Sequence, residues 1–184
     1  MTSKIKVNIL ADGGDNSIIT SDGAGSFTAS SSLASSVQSV GGIQNTPAFA
    51  VKEVAGQSIP NNSSTKATFD TIEFDTDSVF DLSNNRFIVP SGEDGKYYIQ
   101  GWGNIPGLDA GEIGQVFFQK NGITISNTIV RNYLQGTNQL FRMITSTLVE
   151  LSATDYVEFW YYQNSGESQT VVNTYFSGFK LIGA

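Results

Sequence analysis

Val79-Phe80-Asp81-Leu82-Ser83-Asn84-Asn85-Arg86-Phe87-Ile88-Val89-Pro90, followed by Gly95-Lys96-Tyr97-Tyr98-Ile99-Gln100-Gly101-Trp102, carries the reading that decides the fold class. Phe87-Ile88-Val89 is a short apolar run closed by Pro90, which has no N–H to give to a sheet ladder. Asp94-Gly95 is a turn signal, and the aromatic run from Tyr97 to Trp102 follows it. The same punctuation extends in both directions. Ala48-Phe49-Ala50-Val51 opens the series, and Ala67 to Phe74 alternates as a strand with mixed faces. Val116-Phe117-Phe118-Gln119 runs through Lys120-Asn121-Gly122 into Ile123-Thr124-Ile125. Asn-Gly between two apolar runs predicts a hairpin, because both central residues need positive φ. Leu140 to Leu151, Tyr156 to Tyr162 and Thr170 to Ile182 complete the set, and no long segment keeps a helical period. Eight or more strands at short spacing imply an all-β sandwich or jelly roll.

Composition bounds the chemistry. The chain has 184 residues, of which 15% are charged and 11% aromatic. Roughly 25% charge is usual for a soluble domain, and disorder wants high charge with few aromatics, so an ordered β-protein with a Ser, Thr, Asn and Gln surface is expected. A net charge of −7 argues against a nucleic-acid partner, since phosphate binding is driven by Lys and Arg. There is no His and no Cys. Ser-His, Cys-His and His-ligated metal mechanisms therefore have no residues to work with, and no disulfide framework is available. Neither a secretory signal nor a run of roughly 18–20 apolar residues is visible, so no membrane insertion is expected.

Composition shifts at Thr46-Pro47. Of the 12 Phe, 7 Tyr and 2 Trp, only Phe27 precedes Pro47. Residues 1–46 read as a Ser/Gly-rich arm that cannot bury enough apolar surface to fold alone. Lys4 to Leu10 alternates, with Ile5, Val7 and Ile9 on one side, as a lone strand seeking a partner. Leu33, Val37 and Val40 have helix-compatible spacing before Gly41-Gly42. Two readings stand: a flexible tail, or an arm that orders on a neighbouring subunit or assembly and anchors through Ile5, Val7 and Ile9.

The opening stretch resembles the signature of the C1q globular head: an aromatic-Asp start, a turn, Phe and a short strand, Pro, then Gly-x-Tyr. Three further stretches resemble that family in order. These are Phe118-Gln119-Lys120-Asn121-Gly122, Leu151-Ser152-Ala153-Thr154-Asp155-Tyr156-Val157, and Tyr175-Phe176-Ser177-Gly178-Phe179-Lys180-Leu181. Three positions depart from the pattern. Asn85 stands for a turn glycine, Thr154 for the glycine before Asp, and Ile99 for an aromatic. The resemblance covers residues 47–184 and implies a ten-stranded jelly roll of the C1q and tumour necrosis factor type, assembled as a homotrimer. The many rings either fill the core or exceed it and form an interface; Tyr175, Phe176 and Phe179 are the candidates for the trimer contact. Ser3-Lys4-Ile5-Lys6-Val7 and Ser21-Asp22-Gly23-Ala24-Gly25-Ser26-Phe27-Thr28 resemble the opening of tailed-bacteriophage virion proteins. That resemblance implies a structural virion protein assembled in the bacterial cytoplasm, either a capsid decoration (cement) trimer or the head of a tail fibre. Its partners would be other virion proteins, through the arm. The alternative is a carbohydrate- or protein-binding recognition module, with a host surface glycan as one partner.

The remaining candidates for chemistry fail on spacing. Asp75, Asp77 and Asp81 suggest a calcium loop, but its fifth and sixth positions are Val79 and Phe80 where an oxygen ligand and Gly are needed. Glycosidase pairs such as Glu73/Asp75 or Glu150/Glu158 are inevitable among 17 acids. Gly101-Trp102-Gly103-Asn104-Ile105-Pro106-Gly107 lacks phosphate-loop spacing, and leaves Trp102 as a candidate sugar-stacking contact. No catalytic residue, cofactor or metal is expected, and the protein is read as non-enzymatic.

Overall fold

Every regular element in the described residues is a β-strand, apart from two 3-10 turns at Thr76–Ser78 and Ser126–Thr128. The computed structural model describes residues 9–11, 17–21, 24, 27–29, 45–133, 135–137 and 139–181. The chain divides into two units, residues 1–44 and 45–184.

The first unit contains β1 (Ile9–Ala11), β2 (Ser17–Ser21) and β3 (Phe27–Ala29), an antiparallel sheet in the order β1-β2-β3. Of the lone strand expected at Lys4 to Leu10, the described residues are Ile9 and Leu10, and they belong to β1, which pairs with β2. Ile5, Val7, Leu33, Val37 and Val40 lie outside the described residues.

The second unit runs β4 (Ala48–Glu53), β5 (Gln57–Ile59), β6 (Thr65–Lys66), β7 (Thr71–Asp75), β8 (Phe80–Asp81) and β9 (Arg86–Ile88). It continues with β10 (Gly95–Leu108), β11 (Ile113–Lys120), β12 (Ile123–Thr124), β13 (Val130–Tyr133), β14 (Gln139–Leu151), β15 (Tyr156–Gln163) and β16 (Gln169–Lys180). Two sheets result. One has six strands, in the order β14-β10-β16-β4-β7 with β5 on β16; the other has seven, in the order β12-β11-β15-β9-β8 with β13 on β11 and β6 on β15. The expected ten strands are exceeded by short segments at the sheet margins.

One expectation is corrected. Ala67–Phe74 is not a continuous strand. Thr65 and Lys66 pair with Tyr161 and Trp160 in one sheet, and Thr71 onward pairs with β4 in the other. Between them Ala67 N–H donates to Phe159 O at 2.8 Å and Asp70 N–H to Lys52 O at 3.1 Å. The segment crosses between the sheets, and Ala67 and Phe69 are buried on the way.

Side chains from the two inner faces interdigitate into a single core. Phe49, Val51, Tyr97, Ile99, Met143 and Phe176 come from the six-stranded sheet; Phe87, Val116, Phe118, Phe159 and Tyr161 come from the seven-stranded one. Phe49 stacks on Phe87 and meets Phe176 edge-on, both at 4.9 Å between ring centres. Phe176, expected at a trimer contact, is therefore a core residue with no exposed surface. Its neighbours Tyr175 and Phe179 point to the opposite face, as the two-residue period of a strand requires.

Candidate interaction face

The register of the six-stranded sheet builds its outer face row by row. Ala48, Phe179, Tyr98 and Leu148 are successive cross-strand partners, and so are Lys52, Tyr175, Trp102 and Ile144. Between these rows lie Ala50, Ser177, Gln100 and Ser146, with Phe74 beside Ala50. Two rows of large side chains thus flank a row of small and polar ones. Leu148 is 65% exposed, Ile144 53% and Phe74 51%; Tyr98, Trp102, Tyr175 and Phe179 are half-buried. The rings associate along the rows, Tyr98 with Phe179 at 5.5 Å and Trp102 with Tyr175 at 6.1 Å, nearly parallel.

Polar groups sit at the margins of this face. Lys52 Nζ donates to Glu73 Oε1 at 2.9 Å, and the Tyr175 hydroxyl donates to Glu73 Oε2 at 3.2 Å. The Lys52 hydrogen bond holds the Glu73 carboxyl below its ordinary range. Burial, with Glu73 nearby, pushes the Tyr175 phenol up. Arg142 lies 4.9 Å from the centre of the Trp102 ring and donates to Asn104 Oδ1 at 3.2 Å. Trp102, the candidate sugar contact, is thus already engaged by Tyr175 and Arg142.

The outer face of the seven-stranded sheet is different. Its aromatics carry polar partners: Trp160 Nε1 donates to Glu158, itself paired with Lys66 at 3.0 Å. Tyr162 donates to Asn62 at 3.0 Å, and Arg86 lies 4.6 Å over Tyr156. Exposed apolar side chains on this side, Ile123, Ile129 and Tyr133, lie on the short β12, the β13 edge and the turn between them.

Phe74, Tyr98, Ile144 and Leu148 escaped the sequence reading. A signal was present in β14, where Ile144 and Leu148 alternate with the inward Met143, Thr145 and Thr147. A strand that is apolar on both sides is the mark of a sheet covered on both faces.

The acidic candidates are spent on structure. Asp75 accepts from Val79 N–H at 2.8 Å and Phe80 N–H at 3.1 Å. Asp81 accepts from the Ser83 hydroxyl and from the Asn84 backbone and side chain, bonds that lower its carboxyl to about 2. Glu150 and Glu158 belong to different sheets. Among the described residues no cluster of three or more carboxylates is placed to hold a metal ion.

No protein-family model and no curated protein matches this sequence. The globular domain of zebrafish complement 1qA protein does match in structure, with a TM-score of 0.55 at 14% identity, over 73% of this chain and 97% of that one. The fold is a C1q-like jelly roll. Within it the motif positions have physical reasons. Asn121 and Gly122 take φ of 51° and 78°, as the hairpin turn demands. Asn85 takes the turn glycine's role at φ 50°, and its Oδ1 accepts Phe69 N–H at 2.7 Å. At Gly178 a Cβ would meet Ile99 at 2.6 Å and Phe49 at 3.0 Å, so the Phe-Ser-Gly-Phe strand needs its glycine for core packing.

Proposed function

We propose that the protein is a non-enzymatic assembly module. Its C1q-like head forms a homotrimer through the outer face of the six-stranded sheet, and residues 1–46 attach that trimer to a larger particle. The observation that carries this reading is the pair of apolar rows, Phe179-Tyr98-Leu148 and Tyr175-Trp102-Ile144, on one sheet face. Apolar surface left in water forgoes roughly 25 cal/mol per Å², and closing three copies about an axis would recover it without leaving an open edge. Light scattering of the full chain tests the assembly. A mass of three chains is expected, and a monomer at micromolar concentration overturns the reading.

The resemblance of residues 3–7 and 21–28 to tailed-phage openings supports a virion as that particle, assembled in the bacterial cytoplasm. Capsid decoration is preferred to a tail-fibre head, because fibres carry long internal repeats and this chain has none. Incubating the trimer with particles that lack it should restore occupancy. A second reading, recognition of a host glycan or protein, is favoured by Trp160 and Tyr162, half-buried on the sheet that a trimer of this kind leaves open. In that reading Trp102, on the covered face, is not the contact.

A further inference from the structure

β14 is an edge strand of the six-stranded sheet, bonded on one side to β10. Their register is unbroken from Gly95 opposite Leu151 to Ile105 opposite Phe141, with Lys96 facing Glu150. Leu181 N–H donates to Lys96 O at 2.8 Å, so Lys96 turns its backbone groups toward β16 and away from β14. Backbone direction alternates along an antiparallel pair. Arg142, Ile144, Ser146, Leu148 and Glu150 therefore aim their N–H and C=O groups out of the sheet edge. Among the described residues no backbone group pairs with them. Glu150 O takes Lys120 Nζ at 3.0 Å, and Leu148 O takes Thr147 Oγ1 at 3.2 Å. All of these edge residues are exposed, and a long exposed edge is a template for another strand. The chemistry of the edge is complementary to itself when reversed. Antiparallel pairing of two copies about Ser146 sets Ser146 opposite Ser146, Ile144 opposite Leu148 and Arg142 opposite Glu150, the last two twice over by symmetry. Facing apolar side chains and facing opposite charges both stabilise a sheet. A slip of two residues either way would set Arg142 opposite Leu148 or Glu150 opposite Ile144. Among the described residues no ion pair uses Glu150, although Lys96 is its cross-strand neighbour.

We propose that the β14 edge pairs antiparallel with the β14 edge of a second copy, centred on Ser146, and makes one continuous sheet across two chains. Each facing pair named above is then a hydrogen-bonded pair, because the same residues point their backbone groups outward. The inference goes beyond the assembly proposed above and does not rest on it. The groups at the edge lie in the plane of the sheet, whereas the trimer contact is assigned to its face. Between trimers, the pairing joins one to the next. An edge of this length buries less than roughly 1,200 Å², the size of weak and transient contacts. Trimers therefore stay separate at micromolar concentration and pair where they are crowded, as on the surface of a particle.

The absence of cysteine makes the register testable. Arg142→Cys and Glu150→Cys are made singly in the full chain, and each alone and the two mixed are oxidised mildly at high protein concentration. Both positions are exposed, and a melt of each variant checks its fold. In the mixture, position 142 of one copy lies beside position 150 of the other at a Cα separation of about 5.5 Å, within reach of a disulfide. The Glu150–Arg142 pair at the other end is kept. Two copies of one variant hold their cysteines roughly 26 Å apart. The mixture is expected to give linked pairs of chains, joined from 142 to 150 by mass spectrometry, and each variant alone at most a tenth as much. No link in the mixture, or equal yields in all three samples, overturns the inference. Protection of the Ile144, Ser146 and Leu148 amides from hydrogen exchange without that link assigns the edge to a different strand and overturns it as well. Light scattering reads the head trimer separately: the link formed in otherwise monomeric protein removes the trimer and leaves the edge contact standing.

Discussion

Thr154 holds φ at 73° in the turn between β14 and β15. A β-branched side chain rarely adopts that region, and non-glycine residues there cost roughly 1–3 kcal/mol. Its N–H donates to Val89 O at 2.9 Å, which ties the turn to the end of β9. Thr154→Gly should therefore stabilise by about 1 kcal/mol, raising Tm by about 2–4 °C in a thermal melt. The neighbouring Asp155 supplies a pH test. Burial pushes its carboxyl up, but donation from Lys120 Nζ, Ser152 N–H and Asn121 Nδ2 outweighs burial and holds it at about 2. A carboxyl lowered in the folded state contributes stability that is present above its unfolded value and lost as pH falls through the folded one. Asp155→Asn should thus cost on the order of 1–2 kcal/mol at pH 7. The gap to the parent should close between about pH 4 and pH 2 in melts over that range, and a gap constant with pH would refute the assignment. At this scale the sequence was informative where a turn dictates the residue type, as at Asn85 and Asn121-Gly122. It was silent on which of two rings along one strand points inward. Phe176 and Phe179 differ only in parity along β16, and parity becomes meaningful once Phe49 and Gly178 establish which side is the core.

β10 illustrates how one strand accommodates the opposite sheet. At Gly103 a Cβ would stand 1.7 Å from the Tyr161 hydroxyl oxygen, and at Gly101 2.8 Å from the Phe159 ring. The glycines make room for rings reaching across the core, and the Tyr161 hydroxyl is satisfied by Thr174 Oγ1 at 2.8 Å. Gly103→Ala must displace a buried phenol, at a cost of about 1–3 kcal/mol. The expected result is a Tm lowered by several degrees with an unchanged far-ultraviolet spectrum; an undiminished Tm would show that Tyr161 swings aside freely. The long strands β10, β11, β14, β15 and β16 were legible because their apolar runs exceed any turn between them. Residues 65–75 were not, since a segment that changes sheets still alternates locally. Ala67 and Phe69 face inward as in a strand, while Ala67 N–H donates to Phe159 O in one sheet and Asp70 N–H to Lys52 O in the other. Alternation reports burial and does not report hydrogen-bond partners.

The whole molecule poses a question of symmetry that the isolated chain leaves open in one place. Leu148 and Ile123 are exposed to similar degrees, 65% and 74%, yet they sit on different sheets. Leu148 lies in a row with Tyr98 and Phe179 on the apolar face, while Ile123 projects from the short β12 beside the hairpin turn. If exposure alone mattered, replacing either by Asp would improve solubility and change little else. If the six-stranded sheet is the trimer face, Leu148→Asp brings three carboxylates into an apolar contact with no cation in their row. Burying such unpaired charges costs roughly 3–5 kcal/mol, and every 1.4 kcal/mol is a tenfold change in affinity. Leu148→Asp should therefore weaken trimer association by at least about a hundredfold, and give a folded monomer by light scattering at about 10 μM, where the parent is expected to be a trimer. Ile123→Asp should remain a trimer under the same conditions. The pairing separates the alternatives, because loss of assembly in both variants would point to a general effect of added negative charge on a chain already at −7. Loss in Ile123→Asp alone would move the contact to the seven-stranded side, and with it the surface left free to meet a particle or a host.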